Sequence, residues 1–302
     1  MQTYTYAHAP RPPAPRGRRG CVAQGFIVVL AAFAFLLLTC GASVLAYVVL
    51  PLPPVNVLLL GLDAREGEGY QTRTDSIMLL GVNPSRLSAS LVSFPRDLFI
   101  NAPGYGSQRI NTINVLGEME AGGQGPELLK RSISLSFGVE PTNYVRLDFR
   151  AFERLIDAVG GVTIEVERLI VDTAYPTENF GTMTVRFEPG RQHMDGERAL
   201  MYARTRHTDD DYQRAARQQQ VVNAFARRLV NPIYWPGVTA VLVDAIDTDL
   251  GPLDLFTLAP GLLINLGGLD QLVIDRDMIR PGEGGAVPDY DRLNPWMQER
   301  FR

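Results

Sequence analysis

A charge-free run of 26 residues, 25–50, divides this chain of 302 residues into two unequal parts. As an α-helix the run would be about 39 Å long, which exceeds the roughly 30 Å hydrocarbon core of a bilayer. We therefore predict one transmembrane helix over residues 25–50. Residues 1–24 hold no acid and predict a disordered basic tail on the cytoplasmic side, because they contain Arg11, Arg16, Arg18 and Arg19.

The alternative to an anchor is a cleaved signal peptide, but the apolar run is too long for a typical one. Either interpretation exports residues 51–302, so we expect a single-pass protein of the cell membrane with an extracytoplasmic C-terminal part. The tail takes four of the 29 basic residues, which leaves that part with 25 basic and 33 acidic residues and a net charge of −8. An acidic, exported domain is a poor binder of nucleic acid, so we expect no such partner.

Cysteine and histidine are too scarce in residues 51–302 to support several kinds of chemistry. Both cysteines, Cys21 and Cys40, precede this part, which excludes a disulfide framework, a thiol nucleophile and a cysteine metal site there. His193 and His207 are its only histidines, and a zinc site is hard to assemble from two. The chain also lacks a G-x-S-x-G elbow and a P-loop.

After a short linker at 51–54, strand patterns alternate with helix patterns. Continuous apolar runs predict buried strands, as in VNVLLLG, SIMLLGV and SASLVSF, and helical spacing predicts helices in ELLKRSISLSFG and FRAFERLIDAVGG. Asp195 stands at a helix N-cap position before GERALMYAR. This alternation predicts one layered α/β domain over residues 55–302.

Charged residues cluster where three predicted strands begin or end. Asp63 and Arg65 follow the first strand, Arg73 and Asp75 precede the second, and Arg96 and Asp97 follow the third. Two carboxylates together with phosphate oxygens are a common way to hold Mg²⁺. The alternative for each aspartate taken alone is ordinary turn chemistry. Three such positions together favour a functional site.

The helix pattern that runs into VVNAFARRLV carries arginine where a core-facing stripe should be apolar. Arg214 and Gln218 are followed at helical spacing by an apolar stripe, which consists of Val221, Phe225 and Leu229. Arg217 lies beside Arg214 and Gln218 in the sequence. Arg204 and Arg206 are two residues apart, so an extended segment would point both to one side. Two interpretations stay open on these residues alone. The arginines pair with nearby aspartates in a structural network, or they bind the oxygens of a pyrophosphate.

A set of collinear motifs within residues 55–230 resembles the LytR–CpsA–Psr family of bacterial envelope proteins. They are NVLLLGLDAR, RTDSIMLLGVNP, VSFPRDLFI, RINTINVLGE, NYVRLDF, LIDAVGGVTIEV, FEPGRQHMDGERALMYARTRH and DYQRAARQQQVV. The last seventy residues are similar to the family only loosely. With this resemblance we expect an α/β fold, a layered α-β-α domain with a central mixed sheet, preceded by one transmembrane helix.

The resemblance implies a Mg²⁺-dependent enzyme that moves a glycan polymer from a polyprenyl-pyrophosphate carrier to peptidoglycan through a phosphodiester bond. By motif, Asp63 and Asp75 correspond to the metal-binding carboxylates. The pyrophosphate-binding residues correspond to Arg96, Arg204, Arg206, Arg214 and Gln218, with Arg73 and Arg217 as additional candidates and His207 as a brace of the loop. Asp75, Arg96, Arg204 and Arg206 are the expected catalytic residues, and Asp75 and Asp97 are candidates for the base.

Two other functions remain open beside this transfer. The same residues suit a polyprenyl-pyrophosphate pyrophosphatase or a lipid-phosphate-binding protein. A membrane-bound transcriptional regulator, as older naming of the family suggests, is disfavoured by the acidic, exported domain. The apolar stripe that follows Arg214 further predicts an elongated apolar cavity between the sheet and this helix, with its mouth at the arginines and Asp63. A solid core is the alternative, because protein interiors are normally close-packed.

Overall fold

The computed structural model divides the chain into two compact units, residues 1–50 and residues 51–302. The residues it describes lie within 27–50, with gaps at 29, 32, 36–37, 40, 43–44 and 48, and in 52–64, 69–177, 181–205, 211–265 and 269–302. Among these residues no helix is both long and apolar enough to cross a bilayer. Part of the predicted span 25–50 and the whole of the tail 1–24 lie outside the described residues, so both stay predictions.

Six strands form the central sheet, in the order β11-β6-β1-β2-β3-β12. Their bounds are β1 Val55–Leu62, β2 Thr74–Asn83, β3 Ser88–Phe94, β6 Asn143–Leu147, β11 Asp247–Thr248 and β12 Asp270–Val273. β1 pairs with β6 in parallel, as β3 does with β12, and the other neighbours are antiparallel. The expected central mixed sheet is therefore confirmed.

The remaining strands of the described part form four two-stranded ladders around this sheet. They are β4 Phe99–Ala102 with β5 Gly106–Arg109, β7 Val162–Val166 with β10 Gly190–Met194, β8 Ile170–Pro176 with β9 Thr182–Phe187, and β13 Ile279–Gly282 with β14 Gly285–Pro288. The α-helices described within 51–302 are α1 Ile110–Glu120, α2 Gly125–Phe137, α3 Phe149–Ala158, α4 Gly196–Arg204, α5 Asp211–Arg228, α6 Trp235–Ala245, α7 Pro252–Ile264 and α8 Tyr290–Phe301.

Helices cover both faces of the sheet because its central strands are apolar on both faces. Leu58 and Leu60 of β1 pack into a core with α1, α2 and α8. Their neighbours Val57 and Leu59 point the other way, towards α7. Alternate residues of one strand thus enter different cores, which is why VNVLLLG reads as a continuous apolar run rather than as an alternation.

The second face also carries a core of its own, formed by α3 to α6 with β7 to β10. Asp195 begins α4 as the sequence predicts, with its side chain accepting a hydrogen bond from the backbone N–H of Arg198 at 2.9 Å. α5 is held against the edge of the sheet by buried Gln219, whose Nε2 donates to Ser93 Oγ at 2.8 Å and to the Leu272 carbonyl at 2.9 Å. The start of α5 therefore lies close to the end of β3.

Candidate active site at the edge of the sheet

The charged strand ends meet at one edge of the sheet because β1, β2 and β3 are antiparallel neighbours. β1 and β3 end where β2 begins, so Asp63, Asp75 and Arg96 come from one edge. The backbone N–H of Asp63 donates to the Arg73 carbonyl at 3.1 Å and continues the pairing of these two strands. The carboxylate of Asp63 is half exposed there, and the side chain of Asp75 is only 21% exposed.

A β-bulge at the start of β2 turns Asp75 towards the site. Gly61 pairs with Ser76 and Leu62 pairs with Thr74, so Asp75 is the extra residue between them. In a regular strand consecutive side chains would point to opposite faces. At this bulge both Asp75 and Ser76 line the same cavity. A bulge beside a binding site commonly redirects a side chain in this way.

Arg96 is the centre of the ion pairs at this edge. Its Nη1 lies 3.3 Å from Asp75 Oδ1, and its Nε lies 3.7 Å from Asp97 and 3.8 Å from Asp211. Burial by itself lowers the pKa of Arg96, but the three carboxylates outweigh burial and raise that pKa above the ordinary value. Nε is buried and donates no hydrogen bond within the described protein. A buried guanidinium donor without an acceptor suits an anionic ligand.

Arg204, the last residue of α4, lies against aromatic rings. Its guanidinium carbon is 3.7 Å from the centre of the Phe149 ring, and Nη1 donates to the Tyr175 hydroxyl at 3.3 Å. Nη2 is 3.7 Å from Asp63 Oδ1. Stacking restricts the guanidinium plane and leaves its edges for hydrogen bonds. Phe149 and Tyr175 were not among the predicted site residues, because each is distant in sequence from the arginines.

Arg214 and Gln218 occupy the first turns of α5 and face the sheet. Arg214 is only 5% exposed, and its Nη2 lies 3.1 Å from Asp211 Oδ1. Gln218 accepts a hydrogen bond from the Ser76 hydroxyl at 3.0 Å and donates to the Ala203 carbonyl at 3.4 Å. The guanidinium groups pair with aspartates and also line a cavity, so both interpretations of the arginines stay open.

Arg217 points elsewhere, although it is adjacent to this group in sequence. It is buried, donates to the carbonyls of Tyr202 and Thr205, and does not line the cavity. Buried Asp172 holds the same segment by accepting a hydrogen bond from the Thr205 hydroxyl at 2.8 Å. We therefore reassign Arg217 from phosphate binding to holding the backbone next to Arg204. Sequence analysis missed Asp172, because its partner lies far along the chain.

Some of the remaining predicted site residues are exposed, and the others lie outside the residues that the structure describes. Arg73 is exposed, and the structure brings only its backbone to Asp63. Asp97 is 53% exposed and pairs with Arg96 and with Arg109 at 3.4 Å, away from the cavity lining. Residues 65–68 and 206–210 lie outside the described residues, and with them Arg206 and His207.

A cavity of about 310 Å³ extends from the charged edge beneath α5. Its polar lining residues include Asp75, Ser76, Arg204, Arg214 and Gln218. The rest of its wall is almost wholly apolar, with residues from β1, β2, α3 and α5 to α7. The whole predicted stripe lines it, namely Arg214, Gln218, Val221 and Phe225 of α5 and Leu229 directly after this helix. The predicted apolar cavity between the sheet and this helix is present beside Arg204 and Arg214, so the alternative of a solid core is wrong. Asp63, which the prediction placed at the mouth, is not among the lining residues, and the elongated shape stays a prediction.

The charged end of the cavity can be tested for its fit to a divalent cation. Within the described residues, no group of three or more acidic, histidine or cysteine side chains is close enough to hold a metal by itself. The ion-paired cluster contains four carboxylates, Asp63, Asp75, Asp97 and Asp211, and four arginines, Arg96, Arg109, Arg204 and Arg214. These charges cancel, so the described cluster alone offers no excess positive charge to a diphosphate. Mg²⁺ fits this donor set, because it commonly binds one or two carboxylates together with phosphate oxygens and water.

Comparison with known proteins agrees with the motifs. The profile of the LytR_cpsA_psr family matches residues 51–283. Regulatory protein MsrR of Staphylococcus aureus (strain COL) is 32% identical over 208 residues, which cover 67% of this chain and 58% of MsrR. TagU of Oceanobacillus iheyensis, named a polyisoprenyl-teichoic acid–peptidoglycan teichoic acid transferase, is 35% identical over 172 residues, which cover 56% of this chain and 50% of TagU. The chain thus spans only half to three fifths of the length of these relatives.

Solved structures share the fold. The crystal structure of B. subtilis TagV has a TM-score of 0.65 at 21% identity and covers 82% of this chain and 96% of that chain. The structure of TagT bound to LIIa-WTA has a TM-score of 0.60 at 22% identity, covering 82% and 89%. At these identities the likeness establishes the fold alone.

Proposed function

The chain belongs to the LytR_cpsA_psr family, as its motifs predicted, and on this premise we propose that it is a phosphotransferase. It moves a glycan polymer from a polyprenyl-pyrophosphate carrier to peptidoglycan and leaves the two joined by a phosphodiester. The relatives TagU and TagT, named as polyisoprenyl-teichoic acid–peptidoglycan teichoic acid transferases, support transfer of a glycopolymer.

The observation that carries the proposal is the continuity of the apolar cavity with the charged edge. A polyprenyl pyrophosphate is a long hydrocarbon that ends in a strongly anionic group, so its two parts match the apolar and the charged parts of this site. Burial of each CH₂ contributes about 0.8 kcal/mol, so a cavity walled by leucine, valine and phenylalanine can hold such a chain firmly. Arg204, Arg214 and Gln218 then stand where the hydrocarbon ends and the phosphates begin.

Asp63 and Asp75 serve this substrate only together with a cation. Near a diphosphate these carboxylates would repel the substrate, and the four arginines of the described cluster are already balanced by four aspartates. We propose that Asp63 and Asp75 hold Mg²⁺, which when bound supplies positive charge to the phosphate oxygens. The arginines paired with these two carboxylates, Arg204 and Arg96, then become available to the diphosphate.

The reaction is a substitution at the phosphorus that bears the glycan. A hydroxyl of peptidoglycan forms the new O–P bond, the P–O bond to the bridging oxygen breaks, and polyprenyl phosphate leaves with that electron pair. Arg96, Arg204 and Arg214 stabilise the charge that develops on the phosphate oxygens, which is the main catalytic contribution in phosphoryl transfer. The hydroxyl proton passes to a carboxylate, and Asp75 and Asp97 are the two candidates at this edge.

We further propose that residues 51–302 act outside the cytoplasm behind a single membrane anchor, as the charge-free run and the arginines before it predict. Protease added to intact spheroplasts should degrade this part and spare a cytoplasmic tag at the N-terminus. Protection of residues 51–302 would contradict this topology.

The transfer is tested with the full-length protein in nanodiscs, a polyprenyl-pyrophosphate-linked glycan labelled in its sugar, and peptidoglycan fragments. The expected product is labelled peptidoglycan whose link is cleaved by phosphodiesterase.

Two other results would overturn the proposal. Labelled glycan phosphate as the sole product would identify a pyrophosphatase, with water as the acceptor. Tight binding of the carrier without turnover in the presence of Mg²⁺ and acceptor would identify a lipid-phosphate-binding protein.

A further inference from the structure

Helices α6 and α7 are apolar around nearly their whole circumference, although each has a face on the surface of the protein. Their sequences, WPGVTAVLVDA and PLDLFTLAPGLLI, contain two ionisable residues, Asp244 and Asp254. A surface helix normally turns a polar face outward, and a helix that is apolar all round is normally buried in protein or lipid. The outer faces of these two helices therefore require an apolar environment, which water does not provide.

The inner faces of both helices already have a partner. Val238 and Leu242 of α6 line the cavity, and so do Leu255 and Leu262 of α7. The outer faces are a different set of side chains. Val243 is 84% exposed, Leu253 is 65% exposed and Ile264 is 54% exposed. Each helix is thus a single apolar layer between the cavity and the outside.

Of the two acids only Asp244, whose side chain is 66% exposed, adds a charged group to these outer faces. Asp244 forms an ion pair with Arg154 of α3. Asp254 accepts hydrogen bonds from the Gly251 backbone N–H at 2.8 Å and from the side chain of Asn143 at 3.2 Å, so it is used at the start of α7. Aliphatic side chains, proline and alanine make up most of the rest of the exposed surface.

Aromatic and cationic residues stand at one edge of this apolar face. Trp235, which begins α6, is half exposed and donates its ring N–H to the Leu229 carbonyl at 2.8 Å. The neighbouring Tyr234 accepts a hydrogen bond from Arg228, whose guanidinium lies 4.6 Å from the ring centre. Arg227 beside them is exposed. Tryptophan, tyrosine and arginine next to an aliphatic face are typical of a protein edge at lipid headgroups, where the cations complement anionic lipids.

We propose that the outer faces of α6 and α7 rest in the surface of a lipid bilayer, with Trp235 and the Arg227–Arg228 pair at headgroup level. We call this surface, formed by Ile233, Trp235, Val243, Leu253 and Ile264, the lipid face. A protein partner fits it less well, because protein interfaces carry roughly one hydrogen bond per 100–200 Å² and the lipid face offers few polar groups.

The role of the lipid face rests on the proposed function, whereas its contact with lipid does not. Only one layer of helix, α6 or α7, separates the bilayer from the cavity, so the hydrocarbon of a carrier has a short path from the lipid to the cavity. The domain would therefore collect its substrate directly from the membrane surface.

The two tryptophans of the chain provide the test. Trp235 lies on the lipid face, and Trp296 of α8 packs on the opposite side of the sheet. Full-length Trp296→Phe, with Trp235 as its only tryptophan, is reconstituted in nanodiscs with lipids brominated in the upper half of the acyl chain. An interfacial helix lies about 5–10 Å below the surface, so we expect the Trp235 emission to fall by about half. The matched variant Trp235→Phe, which reports Trp296, should keep its emission.

Two other outcomes would overturn the proposal that this surface contacts lipid. Equal emission of Trp235 with brominated and ordinary lipids, together with quenching by iodide, would place it in water. Protection of Trp235 from both quenchers would mean that protein covers this surface, either a second copy or another segment of this chain. No substrate is present in these measurements, so their result is independent of whether the transfer reaction itself is correct.

Charged substitutions on the lipid face test whether this surface helps to supply the substrate. Val243→Glu and Leu253→Glu place carboxylates on exposed side chains that do not line the cavity, so the fold should tolerate them. The control is Leu135→Glu, since Leu135 of α2 is 59% exposed on the other side of the sheet. We expect the two lipid-face variants to lose Trp235 quenching and to lose several-fold in transfer from a long-chain carrier in the bilayer. Transfer from a short-chain, water-soluble carrier should stay unchanged. A loss that is equal for both carriers would contradict the proposed role.

Discussion

The guanidinium of Arg96 lies 3.3 Å from the carboxylate of Asp75, and each of these groups is expected to bind part of the same substrate complex. Asp75 comes from the bulge at the start of β2, and Arg96 follows the end of β3. In the described structure they neutralise each other. A cation that binds Asp75 must therefore compete with Arg96, and this competition would release the guanidinium for a phosphate.

This competition can be measured by removing the arginine. Arg96→Ala should bind Mg²⁺ about tenfold more tightly in the absence of substrate, because a positive charge near Asp75 is gone. Its transfer rate should fall on the order of 10²-fold, because the transition state loses a charged donor. Titration calorimetry checks the first effect and the transfer assay checks the second. Unchanged Mg²⁺ binding by Arg96→Ala would show that Arg96 does not compete with the metal, and weaker binding would show that it supports the metal site.

Asp63→Asn and Asp75→Asn test the metal site by removing the proposed carboxylate ligands. Each variant keeps the size of the side chain and removes the charge, so both should stay folded, bind Mg²⁺ weakly and lose transfer. Asp97→Asn is the control for metal binding, because Asp97 is half exposed and lies outside the cavity lining. Mn²⁺ binding followed by electron paramagnetic resonance separates this defect from a loss of substrate binding. Unchanged Mn²⁺ affinity in both variants would refute the assignment.

Arg217→Ala should affect stability more than chemistry. The substitution leaves the buried carbonyls of Tyr202 and Thr205 without their donor, and each unsatisfied group costs about 1–3 kcal/mol. We expect the free energy of unfolding in urea to fall by roughly 2–4 kcal/mol, with near-normal transfer per folded molecule. A stable variant that has lost transfer would return Arg217 to the phosphate-binding residues.

A larger side chain in the cavity should select against long carriers. Val222 of α5 lines the cavity, so Val222→Phe occupies space there that the hydrocarbon needs. We expect Kd for a long polyprenyl pyrophosphate to rise at least tenfold, which corresponds to about two CH₂ groups displaced, whereas a short-chain pyrophosphate should bind normally. Fluorescence titration with both carriers checks this. Equal weakening for the two would mean that the substitution distorts the charged edge instead.

The surroundings of Glu118 in α1 predict how the free energy of unfolding depends on pH. It forms a buried ion pair with Arg146 at 2.6 Å and accepts hydrogen bonds from the backbone N–H groups of Gly123 and Gly125. Burial by itself raises the pKa of Glu118, but these donors outweigh burial and hold the pKa below its ordinary value of 4.5.

Because the pKa is lower in the folded state, the stabilisation by Glu118 is fully present above pH 4.5 and is lost as the pH falls through the folded-state pKa. Glu118→Gln should therefore be less stable at neutral pH, and the difference from the parent protein should shrink below pH 4.5. Urea unfolding at several pH values measures this. A difference that is constant between pH 7 and pH 3 would mean that Glu118 contributes through packing alone.

Sequence patterns determined those features of the protein that depend on local order along the chain. The buried strands, the helix spacing, the N-cap at Asp195 and the stripe from Arg214 to Leu229 all follow from the periodicity of neighbouring residues. The charges that flank three strands, Asp63, Asp75 and Arg96, were also visible, although their meeting at one edge depends on antiparallel pairing that only the structure shows. The cavity followed from this stripe together with the family resemblance, because a polyprenyl carrier needs an apolar space beside the charged groups.

Only the tertiary structure decided which side chains meet across the fold. Arg214 and Arg217 have similar sequence surroundings, yet one faces the cavity and the other holds two carbonyls, because three residues of a helix rotate a side chain by about 300° and the packing of α4 determines what it meets. The stacking of Phe149 on Arg204 and the bulge at Asp75 also depend on contacts between distant segments. Periodicity shows that a residue faces inward, but close packing against the rest of the chain determines which partner it finds there.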